Sequence, residues 1–246
     1  MIDAHCHIDL YSDPMAQARK VENERIRTIA VTNLPSHFEL GYPHLKNFKN
    51  VRLALGVHPL HANQHTDGEL KRFVRLAKST SYIGEIGLDF SPEGNATREK
   101  QVDSLRFVLT HINDRPRYIS LHSRRAERSV LQLLKEFSIE QAVFHWYSGS
   151  LSVLKEIVTA GYFFSINPAM IRSSNGRKII EHIPSDRLLT ETDGPFVKVD
   201  GRIIESQDVA EVLNHLSSLW DCTYEDAERQ IENNFNTILR PVKRVV

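Results

Sequence analysis

The sequence predicts an α/β protein built as a single-domain (β/α)8 TIM-type barrel, regular or distorted, over residues 1–246. Eight short apolar runs rich in β-branched residues alternate with longer segments of helical periodicity. The runs begin about 20 to 36 residues apart, which is the size of one strand–helix unit. An open doubly wound sheet would need a glycine-rich phosphate loop after the first strand, and the sequence has none there. The barrel is therefore favoured.

Each predicted strand is a short apolar run with the β-branched and aromatic residues that strands prefer. In chain order the strands cover residues 1–7, 26–33, 51–56, 82–87, 118–122, 141–145, 162–166 and 187–192. The run that opens the chain is the first of them, and the run before the Asp-Gly-Pro sequence is the last.

Amphipathic segments between the strands and at the end of the chain predict helices. They cover residues 13–25, 67–79, 98–113, 126–137, 152–160, 206–219 and 224–239. The first two have polar starts that can cap a helix. In the segment 98–113, Val102, Leu105 and Leu109 recur at helical spacing and form one apolar stripe. The remaining segments repeat this pattern, and the last two close the chain.

Charge and composition restrict the classes of function. Lys and Arg number 31, Asp and Glu also number 31, and the net charge is zero. This balance argues against a protein that holds nucleic acid by a generally basic surface, so a few local groups or a metal must meet any phosphate. No apolar run approaches the roughly 18 residues of a membrane span, and no membrane partner is expected. Two cysteines and a start without a secretory signal predict a cytoplasmic location.

Side chains that can bind metal stand at the ends of five predicted strands. In such a barrel these ends meet at one mouth. The candidates are His5, His7, Glu85, His122, His145 and Asp193. Burying so many ionisable groups together without a cation is costly, so we expect them to bind metal. A typical catalytic zinc has three protein ligands, and six candidates therefore favour two ions bridged by a carboxylate.

His5 and His7 form the most specific part of this pattern. Side chains two residues apart in a strand point to the same face, so both imidazoles can bind one ion. Cys6 then points the other way and is expected to pack in the barrel wall. Taken singly, the other candidates have further interpretations: Glu85 and Asp89 could be a glycosidase pair, and a lone histidine could belong to the core.

Five motifs in order resemble the TatD-type metal-dependent deoxyribonucleases of the amidohydrolase superfamily. They are DAHCHID, GEIGLD, LHSR, HWYSG and ETDGPF, at residues 3–9, 84–89, 121–124, 145–149 and 191–196. The likeness runs from the first strand to residues 233–235 and so covers nearly the whole chain. The opening through residue 14, and the segments 166–170 and 192–196, are most similar to the short TatD-like nucleases of bacterial Qat anti-phage cassettes.

The resemblance implies two divalent metal ions, which could be Mg²⁺, Mn²⁺ or Zn²⁺. One ion would be held by His5, His7 and Asp193, the other by His122 and His145, with Glu85 as the bridge. Asp193 and Glu85 are thereby the expected catalytic residues. Asp193 is the candidate base that takes a proton from the attacking water.

Further candidates could contact the substrate. His58 follows the third strand and Arg124 the fifth, and both could hold a phosphate, Arg124 through a bidentate fork. A loop histidine and a solvated arginine are equally good interpretations of these two. Arg172, Arg177 and Lys178 stand in a predicted Ser/Asn/Gly loop, where they could guide DNA but are more readily explained as solvated charges.

The activity that the resemblance implies is hydrolysis of DNA phosphodiester bonds, as a 3'-5' exonuclease on single-stranded ends. DNA would be the substrate, and other proteins of a defence cassette would be partners. Trp146 departs from the HCFSG motif of many relatives, and its bulk could narrow or re-aim the cleft. Trp146 and Tyr147 could stack an end base, but both are equally well explained as core residues, Tyr147 above all. Two alternatives stay open: an amidohydrolase for a small amide or nucleobase, and a weakly catalytic DNA-sensing component of a defence complex.

Overall fold

The eight predicted strands form one parallel sheet that curves into a barrel. The computed structural model describes residues 1–242. The strands are β1 (Ile2–Cys6), β2 (Arg27–Val31), β3 (Val51–Val57), β4 (Tyr82–Gly87), β5 (Tyr118–His122), β6 (Val143–His145), β7 (Phe163–Ile166) and β8 (Leu188–Thr190). Their spatial order follows the sequence. The predicted barrel is confirmed.

Backbone hydrogen bonds join the two ends of the sheet just beyond β8. The N–H of Asp193 donates to the carbonyl of His5 at 2.9 Å, and the N–H of His7 donates to the carbonyl of Gly194 at 2.8 Å. The segment after β8 is therefore fastened to β1 at the height of two predicted metal ligands.

Helices connect the strands on the outside. They are α1 (Pro14–Asn23), α2 (Pro35–Leu45), α3 (Asp67–Ala77), α4 (Arg98–Thr110), α5 (Glu127–Glu136), α6 (Leu151–Thr159), α7 (Pro168–Arg172), α8 (Ser174–Ile180), α9 (Val209–Leu219) and α10 (Tyr224–Leu239). A small hairpin of β9 (Lys198–Val199) and β10 (Arg202–Ile203) precedes α9. Among the described residues, no helix combines the length and the apolar character that crossing a bilayer requires.

Three of these helices were not predicted. Pro43 and Gly41 interrupt the helical pattern of α2. The loop predicted around Arg172, Arg177 and Lys178 is wrong, because these residues lie in α7 and α8.

Capping explains the error. The Asn167 side chain accepts hydrogen bonds from the first N–H groups of α7, and the Ser173 side chain caps α8. Residues that suggest a loop in the sequence here begin helices.

Close contact between β4 and β5 places two candidate site residues side by side. Gly87 pairs with His122 across these strands and has a φ of 145°. A Cβ atom on Gly87 would lie 1.9 Å from the carbonyl oxygen of His122. Only glycine allows this approach, which brings the end of β5 next to Glu85.

Candidate metal centre

The six predicted ligands come together at the carboxyl ends of the strands. Five of them are nearly or fully buried: His5, His7, Glu85, His145 and Asp193. The sixth, His122, has 14% of its side chain exposed. With the exception of His5, they line one cleft of about 430 Å³. The residues predicted at the strand ends are therefore groups that the structure brings into mutual contact.

The carboxylate of Glu85 lies at the middle of this cluster. Its Oε1 atom is 2.7 Å from Nδ1 of His122 and 2.9 Å from Nε2 of His145. Its Oε2 atom faces three other Nε2 atoms at 3.2, 3.3 and 3.5 Å, those of His7, His58 and His5. Each carboxylate oxygen therefore faces its own set of imidazoles, as a bridging ligand requires.

Asp193 completes the set around His5 and His7. Its Oδ1 atom is 3.5 Å from Nε2 of His5 and 3.7 Å from Nε2 of His7. Its φ of 50° is unusual for a residue with a side chain, and such a backbone costs about 1–3 kcal/mol. Strain of this kind is retained where the surroundings hold the residue in place, here through its hydrogen bond to His5.

The donor groups fit a divalent cation. The Nε2 atoms of His5 and His7 face each other at 3.3 Å inside the protein. Two neutral imidazoles can share only one proton there, whereas a cation between them would satisfy both lone pairs. Nδ1 of His7 is buried without a hydrogen-bond partner in the described part of the chain. Imidazole nitrogens combined with carboxylate oxygens are ligands of zinc and similar metals.

Two of the histidines are held from behind through their other ring nitrogen. Nδ1 of His5 lies 2.7 Å from Oγ of Ser120. Nε2–H of His122 donates to Oδ2 of Asp89 at 2.8 Å. Such partners fix the ring orientation and tautomer of metal-binding histidines. From sequence alone, Asp89 could form a glycosidase pair with Glu85. In the structure it instead accepts a hydrogen bond from the ring nitrogen of His122 that faces away from Glu85.

Nδ1 of His145 has no hydrogen-bond partner among the described residues, and the carboxylate that faces it is that of Glu191, which was not predicted. Its Oε1 atom is 3.5 Å from Nδ1 of His145 and accepts hydrogen bonds from the side chain of Asn167 and the backbone N–H of Trp146. Ser165 donates to the other oxygen. Its position could have signalled this residue, because Glu191 directly follows β8 and stands two positions before Asp193 in the same motif. Its partners come from other strands and have no local signal.

Burial and neighbouring groups shift the pKa values of Glu85 and Asp193 in opposite directions. Burial alone would raise the pKa of Glu85, but the imidazoles of His58, His145 and His5 outweigh it and hold the pKa well below its ordinary range. Burial raises the pKa of Asp193 to about 7, although His145 and His7 act against it. Glu85 is thus kept ionised, while Asp193 can exchange a proton near neutral pH.

The two predicted substrate contacts occupy different places. His58 lies inside the cluster, since its candidate ligand atom and those of Glu85 and His122 are all within 4.8 Å of one another. It is therefore a further candidate ligand as well as a candidate phosphate contact. The side chain of Arg124 lines the cleft, is 52% exposed, and pairs with Glu93 at 3.1 Å.

Comparison with known proteins places this site in a family. Residues 2–240 match the family model described as TatD related DNase. Human deoxyribonuclease TATDN3 is 32% identical over 79% of this chain and 78% of its own length. An uncharacterized metal-dependent hydrolase of Methanocaldococcus jannaschii, MJ1582, is 28% identical over 95% and 94%. The crystal structure of the Escherichia coli K12 TatD homologue YjjV superposes with a TM-score of 0.81, at 24% identity and 97% coverage of both chains. The chain therefore belongs to the TatD-related DNase family and is a metal-dependent hydrolase.

Proposed function

We propose that this protein is a deoxyribonuclease that removes nucleotides from the 3' end of single-stranded DNA, using two divalent ions. The observation that carries the proposal is the position of Glu85, whose two oxygens face separate sets of imidazoles. One set would hold each ion, with Glu85 as the bridge. The similarity to human deoxyribonuclease TATDN3 supports DNA as the substrate.

The residues divide the chemical work between them. Bound divalent ions activate water near neutral pH and neutralise charge on the phosphate oxygens. Asp193 accepts the proton of the attacking water, for which its buried carboxyl group is suited. Arg124 reaches the cleft with an exposed guanidinium that can turn from Glu93 to a phosphate oxygen. A chain of zero net charge must meet the phosphate through such local groups.

The shape of the cleft favours a polymer over a small amide or nucleobase. Its rim carries large side chains that are well exposed, with Leu60 at 40% and Phe196 at 58%. A hydrolase of small molecules encloses most of its substrate. An exposed rim instead leaves room for the rest of a strand to continue away from the metal centre.

We also propose a place in anti-phage defence, in the cytoplasm and alongside other proteins of a cassette. The resemblance of segments 166–170 and 192–196 to nucleases of Qat cassettes supports this. Both cysteines, Cys6 and Cys222, are free thiols, which suits a reducing compartment. Phage plating on bacteria that express the cassette with wild-type protein or with His122→Ala would test it. Equal plating on both would refute the defence role.

Cleavage of end-labelled oligonucleotides tests the enzymatic proposal. Single- and double-stranded DNA and RNA, labelled at either end, would be incubated with the protein and Mg²⁺, Mn²⁺ or Zn²⁺. We expect stepwise shortening from the 3' end of single-stranded DNA, and loss of activity in His122→Ala. His182→Ala, which removes an exposed histidine on the outside, is the matched control. Metal binding without release of nucleotides would contradict the proposal and favour a DNA-sensing role.

A further inference from the structure

Two exposed aromatic side chains flank the metal centre. Trp146 and Phe196, here called the stacking pair, both line the cleft. Trp146 is 37% exposed and Phe196 58% exposed. Isolated exposed apolar residues are common on protein surfaces, but two large rings in one cleft beside candidate catalytic groups indicate a binding surface.

The backbone holds the Trp146 ring out of the core. Its φ of 37° lies in the left-handed region, which is rare for a bulky side chain, and its N–H donates to the buried Glu191 at 3.1 Å. The next residue, Tyr147, is 1% exposed, and its hydroxyl group donates a hydrogen bond to the backbone carbonyl of Ser150 at 2.7 Å. The chain thus buries one ring and presents the other to the cleft at a cost in backbone strain.

Phe196 is held beside Asp193 and His7. Its N–H donates to the carbonyl of Asp193 at 2.9 Å, and its ring contacts that of His7 edge to face, with centroids 5.0 Å apart. The ring is therefore held beside a predicted metal ligand while more than half of it stays exposed.

We propose that the stacking pair binds the unpaired bases at the end of a DNA strand and so positions the terminal phosphodiester at the metal centre. The inference rests on the proposed function. Among the described residues lining the cleft, Arg124 is the one Lys or Arg side chain, and it is paired with Glu93. Contacts to the bases would therefore add binding energy that the few charged groups at the phosphate do not supply, and aromatic rings provide it by stacking on base faces.

The same contacts would select single strands. In a duplex, each base is covered by its neighbours and paired across the helix, so its face cannot reach Trp146 without unstacking. At a single-stranded end the face is free at little cost. The pair therefore distinguishes substrates by the availability of bases rather than by their sequence.

A substrate–protein double cycle tests the proposal. Wild type and Trp146→Ala would be compared on a single-stranded oligonucleotide and on the same oligonucleotide with abasic nucleotides at its 3' end. We expect Trp146→Ala to raise KM about 5- to 150-fold on the normal end, with little change in kcat. On the abasic end the two proteins should have the same KM. Trp146→Phe should restore most of the binding.

The control variant is Leu40→Ala, which removes a 74% exposed side chain on α2, outside the cleft lining. It should behave as wild type on both substrates. Equal KM values for wild type and Trp146→Ala on the normal end would overturn the proposal. So would an equal loss on normal and abasic ends, because the ring would then act without contacting a base.

Fluorescence separates this inference from the proposed function. The chain has two tryptophans, and Trp220→Phe leaves Trp146 as the single reporter. Adding a normal single-stranded oligonucleotide to this variant without metal should quench its emission, and an abasic-ended one should quench it less. If emission is quenched but the wild-type protein releases no nucleotides with any of the metals, the proposed nuclease activity is refuted and base stacking by Trp146 stands. If the wild-type protein releases nucleotides but the variant shows no quenching, base stacking by Trp146 is refuted and the proposed nuclease activity stands.

Discussion

Replacing Asp89 by Asn should weaken divalent-metal binding, although Asp89 is not a predicted ligand. Its Oδ2 atom accepts from Nε2–H of His122 at 2.8 Å, and its Oδ1 atom accepts from the backbone N–H of Ser91 at 2.8 Å. Burial would raise the pKa of Asp89, but His122 and Ser91 outweigh it and lower the pKa to about 2. The ionised carboxylate therefore accepts on both sides.

Asparagine has only one acceptor oxygen in its side chain and cannot serve both donors. Either Ser91 or His122 must then face an NH₂ group, and a buried donor left without an acceptor costs about 1–3 kcal/mol. Loss of such a supporting contact typically lowers metal affinity about 10- to 100-fold, or about 1.4 to 2.8 kcal/mol. We expect Asp89→Asn to fall in this range.

Calorimetric titration of metal-free protein with Mn²⁺ or Zn²⁺ measures the effect. Asp103→Asn is the matched control, because it removes the same charge from an exposed position on α4. Circular dichroism would establish that both variants are folded. If Asp89→Asn binds metal as tightly as Asp103→Asn, the assignment of Asp89 as the group that orients His122 is wrong.

Three further predictions concern stability and metal. Gly87→Ala should unfold at lower denaturant and bind metal poorly, because its Cβ would overlap the carbonyl of His122. Gly161→Ala, with a φ of 86° but free space around it, should cost only about 1–2 kcal/mol. Burial would raise the pKa of Glu22, but the backbone N–H groups of Asn50 and Lys49 donate to its carboxylate and hold the pKa below its ordinary value of 4.5. The stability that the ionised Glu22 carboxylate contributes is complete above pH 4.5 and is lost as the pH falls through the lowered pKa. Urea unfolding should therefore show Glu22→Gln less stable than wild type at pH 7, with the difference shrinking in acid; a constant difference would contradict this. Saturating metal at about 100 times its dissociation constant should raise Tm by about 5 to 10 °C, and a chelator should remove the gain. A Tm unaffected by metal would count against the site.

The barrel could be predicted because its strands carry a strong local signal. Each strand is buried by helices outside and by side chains inside, so it appears in the sequence as a continuous apolar run. Helix α2 lacked such a signal because Pro43 and Gly41 interrupt it, and tertiary packing against β3 outweighs their low helix propensity. Around α7 and α8, residues that cap helices resembled those of a loop.

The candidate ligands could be predicted because position along a strand determines position at the mouth. His5 and Asp193 are distant in sequence, yet both lie at the carboxyl end of the sheet. The supporting contacts were not predictable in the same way. Ser120 and Glu191 act on ligands from other strands, and these contacts depend on strand order and register, which only the three-dimensional structure supplies.

The most direct test of the two-ion centre is nucleotide release measured against equivalents of Mn²⁺ added to metal-free protein. The protein concentration should be well above the dissociation constants, so that each equivalent added is bound. With Glu85 as the bridge, release from single-stranded DNA should rise until two equivalents are present and then level off. Saturation at one equivalent, or release that needs no metal, would contradict the account.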